Sequence, residues 1–196
     1  MRRIRLGAVA FLIIGCASVP ERSGRPIPIP PPSRPVSELL AQLREPDEAL
    51  RTRAAWALTG VEGPAPEVET ALEGFRDDPS ENVRLAVTWA LAHMTMAKPQ
   101  EARRPPAPDE TPPRMLRQTR PIYPASAFSA RVQGVVLIEI LISESGDVVY
   151  AEVRKSIPEL DQAALDCVRQ WKFSPAKRGE RKVPLVAQAP VTFRMF

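Results

Sequence analysis

Residues 134–155 read GVVLIEILISESGDVVYAEVRK, and this stretch decides the fold. Val136, Ile138, Ile140 and Ile142 fall on one face at period two, as in a strand with one buried side. The other face carries Val135, Leu137, Glu139 and Leu141, apolar enough to be half covered. Glu144-Ser145-Gly146-Asp147 has turn chemistry, with Gly146 free to take positive φ. Val148 to Arg154 alternates again. Val149, Ala151 and Val153 share one side; Tyr150, Glu152 and Arg154 share the other. The two runs make a β-hairpin.

Downstream, Pro158 suits the first turn of a helix, where its missing N–H costs nothing. Leu160, Ala163, Ala164, Cys167, Val168 and Trp171 then form one apolar stripe at helical spacing, shaped to lie on a sheet. Pro175 ends the helical region, and Lys177 to Lys182 is expected as a polar loop around Gly179. The last run, Val186 to Phe196, puts Val191, Phe193 and Met195 on one side. It contains Pro190, which cannot donate to a ladder, so this strand belongs at a sheet edge. The expected class is α+β, with β-β-α-β order and one helix on a small antiparallel sheet.

Residues 114–196 resemble the C-terminal domain of the TonB family. The resemblance rests on Tyr123-Pro124 followed by Ala127, on Gly134 before the first strand, and on Gly146 in the hairpin turn. It rests also on Leu160-Asp161-x-Ala163-Ala164, on Trp171-x-Phe173-x-Pro175-Ala176, and on the closing Val191-x-Phe193. It implies a periplasmic binding module that pairs an extended peptide, the TonB box of an outer-membrane receptor, with its sheet edge. In such strand addition main-chain bonds give affinity and side-chain pockets give selectivity. The expected contact is then the final strand, over Ala189, Val191, Thr192, Phe193 and Arg194. Tyr123, Pro124, Gly134, Gly146, Trp171, Phe173 and Pro175 are expected as framework.

Working back to the start, Met1 to Arg5 is basic and Leu6 to Gly15 is a short apolar core. Ile13-Ile14-Gly15-Cys16 resembles a bacterial lipobox. The apolar run reaches only to Val19, short of the ~20 residues a spanning helix needs. Residues 1–15 are therefore expected as a cleaved signal peptide, with Cys16 lipidated and holding the chain to a membrane. Ala17, rather than aspartate, favours the outer membrane over the inner. Residues 17–35 and 98–113 are proline-rich and are expected as extended spacers. Cys167, the other cysteine, is expected as a buried free thiol.

Between the spacers, residues 36–97 carry an internal repeat. Glu45-Pro46-Asp47-Glu48-Ala49-Leu50-Arg51 and Trp56-Ala57-Leu58 line up with Asp78-Pro79-Ser80-Glu81-Asn82-Val83-Arg84 and Trp89-Ala90-Leu91, 33 residues on. The spacing resembles a pair of HEAT-type repeats. Two units are few for a solenoid, so the module is either a compact four-helix unit or one that docks on something. The Trp pair is expected in its core. This module is acidic and the C-terminal one basic; two separate solvated surfaces are expected rather than a contact between them.

The net charge of +4 includes Arg2, Arg3 and Arg5 of the leader, leaving 4 − 3 = +1. No basic helix or aromatic-studded basic sheet is present, which argues against nucleic acid. His93 has no metal-like companions, and no phosphate loop or nucleophile motif occurs. No catalytic residues, metal, cofactor or small-molecule substrate are expected. The resulting expectation is a lipid-anchored adaptor on the periplasmic face of the cell envelope, binding an extended segment of an envelope protein such as a TonB-dependent outer-membrane receptor. The alternative is an inner-membrane-anchored energy transducer for such receptors. The resemblance implies that a transducer keeps an uncut membrane helix with a Ser/His pair, and this leader has neither the length nor the histidine.

Overall fold

The computed structural model describes residues 34–61, 65–96 and 110–195. The leader, Cys16, the first spacer up to residue 33 and residues 97–109 lie outside the described residues.

Four helices come first: α1 (Val36–Gln42), α2 (Glu48–Leu58), α3 (Pro66–Glu73) and α4 (Glu81–Met96). Local chemistry sets their starts. Asp47 caps α2, accepting from the N–H of Ala49 at 2.7 Å and of Leu50 at 3.2 Å. Pro66 opens α3 in the first turn. Ala54, Trp56, Leu58, Val68, Leu72, Val83, Val87 and Trp89 are buried together, so the repeat pair has a core.

The C-terminal module is built on a three-stranded sheet ordered β4-β3-β8: β3 (Gly134–Ile142) is central, flanked by β4 (Val148–Lys155) and β8 (Leu185–Phe193). β3 and β8 pair antiparallel without a register break, from Gly134↔Phe193 to Ile142↔Leu185. The β3–β4 ladder has irregularities at Leu137/Ile138 and Leu141/Ile142. Helix α6 (Pro158–Val168) lies on one face, burying Leu160, Ala164, Cys167 and Val168 against Val136, Ile138, Ile140 and Ile142. Asp161 fixes its entry. The carboxylate accepts from the N–H of the cap residue Ile157 at 2.8 Å and from the Ser156 hydroxyl. The class is α+β as expected, with small additions: β2 (Met115–Arg117) pairs with β5 (Lys172–Phe173), and α5 (Ala125–Ser129) precedes β3.

Two expectations need correction. The segment 177–182 is not a loop. Strand β6 (Ala176–Arg178) turns at Gly179, φ +58°, into β7 (Arg181–Val183). On its other side β6 pairs with β1 (Glu110–Thr111), so residues assigned by composition to the end of the second spacer belong to a sheet. The Arg178–Glu110 ion pair, 3.1 Å, joins these strands.

The second correction concerns the two modules, which are not separately solvated. The outer face of the sheet is covered by α2 and α4. Leu141 is fully buried and joins the helical core, with Val149, Tyr150 and Val186 packed against it. The Tyr150 ring sits 5.6 Å from Trp56 and 4.6 Å from Trp89, centroid to centroid. The Trp pair is therefore core and contact surface at once. Burial of this apolar face and two indoles outweighs the loss of two hydrated surfaces. The apolar second face of β3 is explained by the same contact.

Polar groups complete the joint. Arg51 bonds Asp78 with both arms of its fork, at 3.0 and 3.1 Å, and donates to the carbonyls of Glu45 and Pro46. Arg84, its counterpart one repeat later, donates to the carbonyls of Asp78 and Pro79. Its fork then takes Glu144 of the β3–β4 turn, at 2.6 and 2.9 Å. The turn of the sheet thus stands where the carboxylate of a third repeat would. A two-repeat array is closed this way by the sheet.

Deeper in, Glu139 is fully buried directly opposite Glu152. Arg154 Nε donates to Glu139 at 2.7 Å, and His93 Nε2 lies 3.5 Å from Glu152 and 3.7 Å from Glu139. The nearby His93 ring, and then the positive charge of Arg154, hold the Glu152 carboxyl below its ordinary value against the opposing effect of burial. A carboxyl lowered on folding stabilises above its unfolded value near 4.5, and that contribution is lost as pH falls through the folded value. The Trp fluorescence of the native chain is therefore expected to change below about pH 4.5. In Glu152→Gln this step should shrink; an unaltered acid profile would remove Glu152 from the account.

Candidate partner-binding edge

β8 contacts a strand on one side only. Its other edge has no partner strand among the described residues. Pro190 stands opposite Leu137 in the unbroken ladder. With no N–H to give, it fits only where that position points away from β3. Parity then turns the main-chain groups of Gln188 and Thr192 outward too, and those of Ala189, Val191 and Phe193 toward β3.

The expected contact residues divide accordingly. Ala189, Val191 and Phe193 are each 2% exposed, and their side chains belong to the core beneath α6. Thr192 and Arg194 are exposed. Selectivity at this edge can come from Thr192 and Arg194, and affinity from the main chain.

The framework residues gather around the same end of the sheet or around the hairpin turn. Tyr123 stacks edge-on against Phe128 and Phe193, at 5.7 and 5.5 Å, and its hydroxyl donates to the Val132 carbonyl. Pro124 caps α5. Gly134 begins β3, and Gly146 takes φ +85° in the turn. Trp171 is buried with its indole N–H donating to the Thr119 carbonyl at 3.2 Å, and Phe173 lies beside it. Pro175 separates β5 from β6. Cys167 is a buried free thiol donating to the Thr119 carbonyl.

A feature not legible from pattern alone is an open groove of about 420 Å³ where β3 begins and β8 ends. Gln133, Gly134, Val135, Thr192, Phe193, Arg194 and Met195 line it. Its floor is partly apolar, with Val135 40% exposed and Phe128 nearby 57% exposed. The Met195 N–H donates to Gln133 at 3.1 Å, which ties the end of the chain across the groove. Among the described residues no cluster of His, Cys, Asp and Glu could hold a metal ion, and no helix is long and apolar enough to cross a membrane.

Comparison with known proteins bears on both modules. Residues 119–195 match the family model for the Gram-negative bacterial TonB protein C-terminal region, and residues 36–104 match HEAT repeats. The chain is 36% identical over 77 residues to protein TonB of Xanthomonas campestris pv. campestris, which is 38% of this chain and 34% of that protein. It is 36% identical over 82 residues to protein tonB2 of Pseudomonas aeruginosa, 41% of this chain and 30% of that one. The chain thus spans about a third of the length of these curated relatives. The solution NMR structure of the Pseudomonas aeruginosa TonB CTD aligns over 46% of this chain and 90% of its own, with 24% identity and a TM-score of 0.37. The chain therefore carries a TonB C-terminal domain, preceded by HEAT repeats that pack on its sheet.

Proposed function

We propose that the chain is a lipid-anchored adaptor on the periplasmic face of the cell envelope, held through Cys16, with the outer membrane favoured over the inner. Its β8 edge takes an extended segment of an envelope protein as an added strand. The candidate partner is a TonB-dependent outer-membrane receptor. The observation that carries this reading is the open edge of β8, whose outward main-chain groups at Gln188 and Thr192 flank Pro190. The proline keeps the middle of the edge from pairing with a second copy and leaves the stretch beside the groove available. The role involves recognition and no covalent chemistry.

The test is fluorescence anisotropy of labelled peptides taken from the extended N-terminal segments of TonB-dependent receptors encoded in the same genome. Saturable binding is expected. Thr192→Pro removes an outward donor without touching the β3 ladder, and should weaken binding about fivefold or more, since a hydrogen bond contributes ~1 kcal/mol. Absence of binding across the panel, or indifference to Thr192→Pro, would overturn the strand-addition reading. The anchor is tested separately, by intact mass and fatty-acid labelling of wild type and Cys16→Ala. Lipid lost on that substitution supports it, and an uncut leader in the inner membrane transfers the case to the energy transducer.

A further inference from the structure

We propose that the β2 ribbon is a docking surface for anionic phospholipid headgroups. Arg114-Met115-Leu116-Arg117 is exposed at every residue. Leu116 is 69% exposed and Met115 42%. Among the described residues, the other exposed large apolar side chains are Ile122, Phe128 and Val135, and none is on α1 to α4. Arg114, Arg117 and the following Arg120 have no carboxylate partner among the described residues. Arginines nearby that do have one, Arg178 and Arg181, are taken by Glu110 and Asp77.

The ribbon is fixed, so its side chains project from a firm base. Arg114 N–H donates to the Ser174 hydroxyl, and Ser174 N–H donates to the Arg114 carbonyl, both at 2.8 Å. Met115 pairs with Phe173, and Arg117 with Lys172. The ladder is irregular between Met115 and Arg117, where Leu116 is the extra residue, so strict alternation does not sort these side chains onto two faces. Exposed apolar groups and carboxylate-free arginines therefore share one short ribbon. A bilayer interface suits that mixture: apolar side chains enter the acyl boundary, while arginine stems lie along it and their forks reach phosphates. The nearby carboxylate, Asp147, is engaged by Lys172, so it does not cancel the arginines.

Full-length chain is used, carrying Cys16→Ala and Leu116→Cys labelled with nitrobenzoxadiazole; Cys167 is buried and escapes the dye. A control carries the dye at Glu180→Cys, which is exposed on the β6–β7 turn. On vesicles containing phosphatidylglycerol, the dye at 116 is expected to blue-shift and brighten severalfold. The dye at 180, and either dye on pure phosphatidylcholine, should stay as in water. Replacing Arg114 and Arg117 together by glutamine should raise the lipid concentration required about 30-fold, from ~1 kcal/mol for each basic residue at an anionic surface. A silent dye at 116, or equal responses at 116 and 180, overturns the proposal, the second pattern assigning binding to the leader. A response at 116 to polyglutamate but not to vesicles also overturns it, and gives the ribbon to an acidic protein.

Discussion

Gly146→Ala is expected to destabilise the protein by about 3 kcal/mol or more, enough to leave much of the chain unfolded. Two effects combine. The backbone at Gly146 has φ +85°, which a residue with a Cβ adopts only at a cost. The added Cβ would also lie 1.9 Å from the carbonyl oxygen of Phe173, far inside contact distance. The obstructing atom is main chain, and Phe173 N–H in turn donates to the Gly146 carbonyl at 2.9 Å, so neither segment can retreat alone. Gly179→Ala separates the two effects. That residue has φ +58° but open space around the added Cβ, so only the conformational cost of about 1 kcal/mol applies. Urea unfolding of both variants measures the difference. Equal losses would mean that the turn relaxes freely and that the close approach of β5 is unimportant.

Arg84→Ala is expected to cost about 3–5 kcal/mol, as does removing one partner of a largely buried ion pair. The Arg84 side chain is 10% exposed and that of Glu144 20%. The substitution strands Glu144 and leaves the carbonyls of Asp78 and Pro79 without their donor. Glu144→Ala should cost less, about 1–2 kcal/mol, because Arg84 keeps those carbonyls. The shape of the transition is as informative as its midpoint. If Arg84 joins the modules, its loss should split a single urea transition into two, with far-UV circular dichroism and Trp fluorescence no longer coinciding. A single coincident transition in Arg84→Ala would place the cohesion of the joint in the Trp56, Trp89 and Tyr150 contact instead.

How much of this was legible in the sequence varies with the physics of each part. The β3–β4 hairpin and α6 were plain, because period-two β-branched runs and a stripe at helical spacing are local signals. Pro190 marked β8 as an edge for an equally local reason, its missing donor. The β6–β7 hairpin was not readable. Its strands are three residues each, rich in Lys and Arg, and are ordered by pairing with Glu110 and Thr111 some 65 residues away in sequence. Glu139 lay on a face expected to be half covered, and nothing local marked its full burial; the meeting of Arg154 and His93 above it makes that burial tolerable. The contact between the modules was visible only as an unexplained surplus. The second face of β3 was too apolar for open water, and the helical repeats were too few to cover themselves. Neither signal named the other as its partner. At the candidate edge the strand was legible, but the inward turn of Ala189, Val191 and Phe193 depends on register, which one sequence does not specify.

The equivalence of Asp78 and Glu144 has a consequence for how this chain can change length. Each carboxylate receives the fork of an arginine from the preceding repeat, and each arginine also binds two carbonyls of its own turn. The fastening is the same between repeat and repeat as between repeat and sheet. A further unit spliced in after α4 would offer its own aspartate to Arg84 and its own arginine to Glu144. The distance between the N-terminal end of the array and the β8 edge is therefore adjustable in whole-unit steps, with the binding surface itself left unaltered.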